Sequence, residues 1–242
     1  NIQKYIQVIK WIRNENPNLR LGYYAMFPIR SYWAPVNYLT SLEKVGDPWW
    51  DAKRPEFKAA YDAWRAANAR LAAIAQYVDA VFPSLYTFYD YYSAGAAAGW
   101  VKYAQANIEE AKSYGKPVFP FIWPRYHDSN ATLKYQYLPA EFWRLQLDTI
   151  EPLAKGVVIW DSSAFALEQT APWLQATTDF MAWREAAQPP ASRRFQLAQS
   201  TQLSMGSEIR PRPSLFEPWP LSVTSGTKGA IFGGPVAADG SI

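Results

Sequence analysis

Along most of the chain, apolar residues recur first at the interval of a helix and then in short unbroken runs. Ile2, Tyr5, Ile6, Ile9 and Trp11 or Ile12 mark an opening helix, broken by the polar stretch from Asn14 to Asn18. Residues 19–27 then read as a strand that stops at Pro28. Pro55 is a fitting first helical residue. It is expected to open a long helix with Phe57, Tyr61, Trp64, Leu71, Ile74 and Val78 on one face. A second strand covers 79–86. The next helix carries Trp100, Tyr103, Ala104, Ile108 and Ala111 and is stopped by Gly115. A third strand is read at 117–123, a helix from Pro139 through Phe142, Leu145 and Ile150, a fourth strand at 157–160 after Gly156, and a last helix over 171–187.

Runs such as Val157-Val158-Ile159-Trp160 are apolar on both faces, as parallel strands buried under helices are. Strand-helix alternation of this kind builds either a doubly wound open sheet or a (β/α) barrel. The strands end in aromatic and polar loops, Tyr86-Thr87-Phe88-Tyr89-Asp90 and Trp123-Pro124-Arg125-Tyr126-His127-Asp128, and no glycine-rich phosphate loop follows any of them. That favours the barrel, whose sites lie at the C-terminal rim. The fold class expected is α/β, the C-terminal half of a TIM-like barrel over residues 1–187, since four strands are about half of the eight a closed barrel needs. Residues 188–242, rich in Pro, Ser and Gly, are expected to be a loosely ordered tail without chemistry.

Composition narrows the chemistry. Cysteine is absent, which removes disulfides, thiolate nucleophiles and thiolate metal sites. With His127 as the single histidine, two-histidine zinc sites go too. No metal and no cofactor is expected. A formal charge of +3 is too small to imply a nucleic-acid partner, and no apolar run is long enough for a membrane span. No leader is readable at the N-terminus, and the compartment is not legible. The unusual figure is aromatic: 17% of the residues, with 12 Trp against 12 Gly. Such a chain has either an aromatic core or a site for flat, partly apolar ligands such as sugar rings.

The candidates are the residues at strand ends: Tyr23, Tyr24, Tyr86, Trp123, Tyr126, Trp160 and Asp161. A tyrosine there can hold a substrate oxygen, and a tryptophan face packs on a pyranose. Any one of them is more ordinarily a packing residue, whereas the set at successive strand ends points to a site. Asp161 should emerge at the rim as an acid, or else cap its own loop with Ser162 and Ser163. Asp90 and Asp128 read as solvated, His127 as either a proton carrier near neutral pH or, more ordinarily, a surface histidine, and Asn130-Ala131-Thr132 as a glycosylation triplet of the kind that arises by chance.

Four blocks in order resemble the hyaluronidase family of glycoside hydrolases: Gly22-Tyr23-Tyr24-Ala25-Met26-Phe27-Pro28, Val81-Phe82-Pro83-Ser84-Leu85-Tyr86, Pro117-Val118-Phe119-Pro120-Phe121-Ile122-Trp123 with Tyr126, and Gly156-Val157-Val158-Ile159-Trp160. The second and fourth are the most specific. The first has one residue more between Gly22 and Pro28 than the family pattern. The resemblance implies a distorted (β/α) barrel that cleaves N-acetylhexosamine linkages in glycosaminoglycan-like polysaccharide, the substrate's own acetamido oxygen acting as nucleophile. It implies that Tyr86 and Tyr126 are catalytic and that Trp160 lines the floor of the substrate's subsite, while the strand-end positions add Asp161 as a further catalytic candidate and Tyr24 and Trp123 as substrate-binding ones. The family's acid/base Glu belongs to a D-x-E pair, and no D-x-E occurs in these 242 residues. The pair is therefore expected upstream of Asn1 and the chain alone is expected to be inactive. The lack of cysteine sets it nearer the family's bacterial relatives than its disulfide-bonded animal members. Two other functions remain open: a different barrel glycosidase using Asp161, and a non-catalytic carbohydrate-binding protein.

Overall fold

The computed structural model describes residues 2–162, 165 and 168–187. Among these, the chain forms helices α1 (Ile2–Glu15), α2 (Trp33–Glu43), α3 (Pro48–Ala69), α4 (Ala72–Ala75) and α5 (Ala96–Lys112), strand β1 (Phe121–Ile122), helix α6 (Ala140–Ile150), strand β2 (Val158–Ile159) and helix α7 (Pro172–Ala187). No described helix is long and apolar enough to cross a membrane. The expected tail, 188–242, lies outside the described residues.

The four segments expected as strands run parallel, side by side, in sequence order. Tyr24 bridges Phe82; Val81, Ser84 and Thr87 bridge Val118, Phe121 and Tyr126; Phe121 and Ile122 pair with Val158 and Ile159. Only the last pair forms a continuous ladder, and prolines explain why. Val81 and Leu85 donate to the carbonyls of Pro117 and Phe121, but Pro83, midway between these donors, has no N–H to give. Pro120 interrupts the third segment in the same way, accepting from Val158 without donating. The first segment is shorter than expected because Ala25 takes φ +54°, which turns the chain out of the extended path directly after Tyr24. The architecture shown is thus a helix-rich mixed fold with few parallel strands.

Several helical expectations need correction, among them the long helix itself, which ends at Ala69 so that Leu71, Ile74 and Val78 lie beyond it. Pro48, not Pro55, opens α3: the Asp47 carboxylate accepts from the Trp49 and Trp50 amides at 3.0 and 3.3 Å, capping a helix in whose interior Pro55 sits. The helix α2 went unread because Pro35 falls within its first turn and its apolar residues follow no clean stripe. On α1, Ile6 and Ile9 are buried as expected, whereas Trp11 is 60% exposed and lies on the outer face.

Much of the aromatic content is core. Trp100, Tyr103, Phe142, Trp143 and Trp173 are fully buried beneath or between α5, α6 and α7, and the Trp143 indole donates to Thr177 Oγ1 at 2.7 Å. Asp79 ties the first layer together, its Oδ2 accepting from Arg13 and from the Leu21 amide, each at 2.7 Å.

Candidate active site

The rim at the C-terminal ends of the parallel segments is held by tightly packed loops. The second segment delivers Tyr86, the third Trp123 and the fourth Trp160, and the three rings converge. Tyr86 lies nearly parallel to Trp160 at 5.9 Å between centroids, and Trp123 meets Tyr86 at 5.5 Å and Trp160 edge-on at 5.0 Å. Tyr24, from the first segment, approaches Tyr86 at 6.2 Å, and its hydroxyl donates to Ser84 Oγ at 3.2 Å. Tyr86 and Trp123 are buried, while Trp160 is 38% exposed and is the ring most open to solvent. Burial and its hydrogen bond with Tyr24 push the Tyr86 phenol well above its ordinary value, so it stays protonated at any physiological pH.

Asp161 follows Trp160 and is fully engaged. Oδ1 accepts the Trp123 indole N–H at 2.8 Å and the Ser162 amide at 2.9 Å, and Arg125 Nε lies 3.2 Å from both carboxylate oxygens. Arg125 is itself buried. It donates to the Tyr135 carbonyl and Tyr137 hydroxyl, with its plane against the rings of Tyr137 and Phe165 at 3.9 and 4.4 Å. Asp161 thus accepts from several N–H donors and fixes the Trp123 ring; the loop cap with Ser162 is one part of that set.

Tyr126 does not join the ring cluster. It is buried, and its hydroxyl accepts from the Tyr91 amide at 3.1 Å, bracing the second loop against the third. Tyr23 faces α1, donating to the Tyr5 carbonyl at 2.7 Å. The Asn130 amide donates to the Phe88 carbonyl at 3.0 Å and accepts from the Thr132 and Leu133 amides, so in the folded protein this triplet is a loop-closing turn.

Two residues belong to the site that sequence reasoning set aside or missed. His127 lies 6.1 Å from Tyr86 and 4.8 Å from Phe88, not on the open surface. Burial, helped by the charge of Arg30 and opposed by Asp128, lowers its pKa below the ordinary 6.5. Its Nδ1 is 3.2 Å from the Ser129 amide, which can only donate, and 2.8 Å from Asp128 Oδ1, which can only accept. The lowered pKa favours the neutral ring at neutral pH, and its tautomer decides whether Nδ1 donates to Asp128 or accepts from the Ser129 amide. Arg30 sits over the Phe88 ring at 4.8 Å and places positive charge near Tyr86 and His127. Its position two residues past Pro28, in the loop after the first segment, is the signal that would have found it.

Among the described residues no group of three or more His, Asp or Glu side chains is placed to hold a metal ion. What the arrangement offers is an aromatic wall with neutral hydroxyls and the nearby guanidinium of Arg30, that of Arg125 being held by Asp161.

No protein-family model matches the chain, and no curated relative matches it in sequence. Two solved structures of bee venom hyaluronidase resemble it. One, in complex with a hyaluronic acid tetramer, is 19% identical and covers 72% of this chain and 72% of its own, with a TM-score of 0.40. The other, from a monoclinic crystal, is 18% identical over 72% of this chain and 74% of its own, with a TM-score of 0.34. Both likenesses are distant and concern overall fold.

Proposed function

We propose that this chain provides the sugar-holding wall of a hyaluronidase-like glycoside hydrolase, its four parallel segments being successive staves of a (β/α) barrel. The observation that carries the reading is the meeting of Tyr86, Trp123 and Trp160 at the ends of three neighbouring segments. The exposed Trp160 face packs on the apolar side of an N-acetylhexosamine ring, and the protonated Tyr86 hydroxyl turns from Tyr24 to hold the acetamido group. In the substrate-assisted reaction the acetamido oxygen forms a bond to the anomeric carbon as the glycosidic bond breaks. The leaving oxygen takes a proton from an acid, and no residue of this chain is assigned that role.

The engagement of Asp161 by Trp123, Arg125 and Ser162 favours a second reading, a carbohydrate-binding protein without turnover. Calorimetric titration with oligosaccharides of N-acetylglucosamine and of hyaluronan tests the shared step. Trp160→Ala should weaken binding at least tenfold, since stacking on an aromatic face is the main contact proposed. Binding unchanged by that substitution would reject the sugar-wall assignment.

A further inference from the structure

A second aromatic feature lies on the same rim, where the loops after the first three segments meet the start of α5. It is a cleft of about 520 Å³ with Tyr32, Trp33 and Tyr89 on one side and Asp90, Asn130 and Thr132 among its polar residues. That volume falls within the roughly 300–1,000 Å³ typical of small-ligand clefts. Trp33 is 53% and Tyr89 37% exposed, so ring faces are presented to solvent. Tyr32 packs on Tyr89 at 4.7 Å, and Trp33 on Tyr89 at 5.2 Å.

Gly99 makes this wall possible. A methyl group at its Cα would stand 2.6 Å from the Tyr32 hydroxyl, so only glycine lets that ring lie against α5. Burial and the neighbouring Tyr89 push the Tyr32 phenol up to about 12, which leaves a neutral O–H beside the cleft.

The cleft is joined to the first site by rings. From Trp160 the sequence runs to Tyr86 at 5.9 Å, to His127 at 6.1 Å, to Phe88 at 4.8 Å, and from Phe88 to Tyr32 at 6.4 Å and Tyr89 at 6.5 Å. Of the residues lining the cleft only Asp90 carries a formal charge, and it is negative. An anionic sugar, a phosphate or a nucleic acid would meet no cation there, whereas a neutral ring with one apolar face and a hydroxylated edge meets aromatic faces and hydrogen-bonding side chains.

We propose that this cleft is a second sugar subsite, taking a neutral pyranose of the same oligosaccharide whose other end lies on Trp160. It rests on the sugar-wall reading only for that simultaneous occupancy. Binding of β-1,4-linked N-acetylglucosamine dimer and hexamer, and of a hyaluronan hexasaccharide, to the full chain tests it by calorimetry. Trp33→Ala and Tyr89→Ala should each weaken the neutral hexamer about tenfold or more and leave the dimer within twofold, while Trp160→Ala weakens both. Trp33 and Tyr89 are exposed enough for these variants to fold, and Trp33→Phe should restore most of the hexamer affinity. Hexamer binding unchanged in both variants overturns the subsite. An equal loss for the hyaluronan hexasaccharide overturns its neutral selectivity. If Trp33→Ala weakens the hexamer while Trp160→Ala does nothing, the cleft stands and the sugar-wall reading falls.

Discussion

At the scale of single residues, the site is set by what each polar atom is already doing. Tyr86 and Asp161 look alike in the sequence, both following apolar runs at strand ends, yet one is a protonated phenol and the other an acceptor bound to an arginine. Because His127 is the only histidine, its imidazole gives one unambiguous titration by NMR. That titration should fall below 6.5, and Arg30→Gln should move it upward by removing a nearby positive charge. The sign for stability follows. A folded-state pKa below the unfolded value makes the neutral ring the folded form, so its contribution is complete above about pH 6.5 and is lost as pH falls through the lower folded value. A midpoint above 6.5 would mean that the Asp128 contact outweighs burial. Gly22 supports a backbone prediction. A methyl group there would stand 2.7 Å from the Ala80 carbonyl and run into the Phe82 ring, so Gly22→Ala should destabilise by about 1–3 kcal/mol in urea unfolding.

At the scale of elements, α1, α5, α6 and α7 were legible and lie close to their expected places. The strands were legible in position and order but not in regularity, since the residues that bury them are interleaved with Pro83, Pro117 and Pro120, which cannot donate to a ladder. Local pattern could not reveal that Pro55 is tolerated inside α3 once Asp47 has fixed the start about two turns earlier. Nor could it reveal which hydroxyl or carboxylate meets which N–H, because Asp161 and Trp123 are 38 positions apart. The contribution of α3 to the rim belongs here too. Trp64 Nε1 donates to the Ile29 carbonyl at 2.7 Å and Asn68 Oδ1 accepts from the Ile29 amide at 2.6 Å, clamping the loop that leads to Arg30 and Tyr32. Asn68→Ala should cost about 1–3 kcal/mol, and hydrogen exchange at the Ile29 amide should speed up selectively. Uniform change across all amides would instead mean that Asn68 only supports the global fold.

At the scale of the whole molecule, helix-strand alternation gathers residues from four segment ends onto one rim, and the chemistry gathered there is one-sided. Aromatic rings, neutral phenols and the charge of Arg30 can hold and orient a sugar, whereas bond cleavage also needs a proton delivered to the leaving oxygen. A placed general acid contributes roughly 10²- to 10⁴-fold. Asp161 is the carboxylate beside Trp160 in sequence, and its oxygens take the Trp123 indole, the Ser162 amide and the Arg125 guanidinium. The 242-residue chain is therefore expected to bind N-acetylhexosamine oligosaccharides without releasing reducing ends from chitin or hyaluronan oligosaccharides. Asp161→Asn should weaken binding by loosening Trp123 and leave the absence of turnover as it was. Robust turnover abolished by Asp161→Asn, with binding intact, would instead make Asp161 the acid and replace the sugar-wall reading with a glycosidase whose own carboxylate does the work.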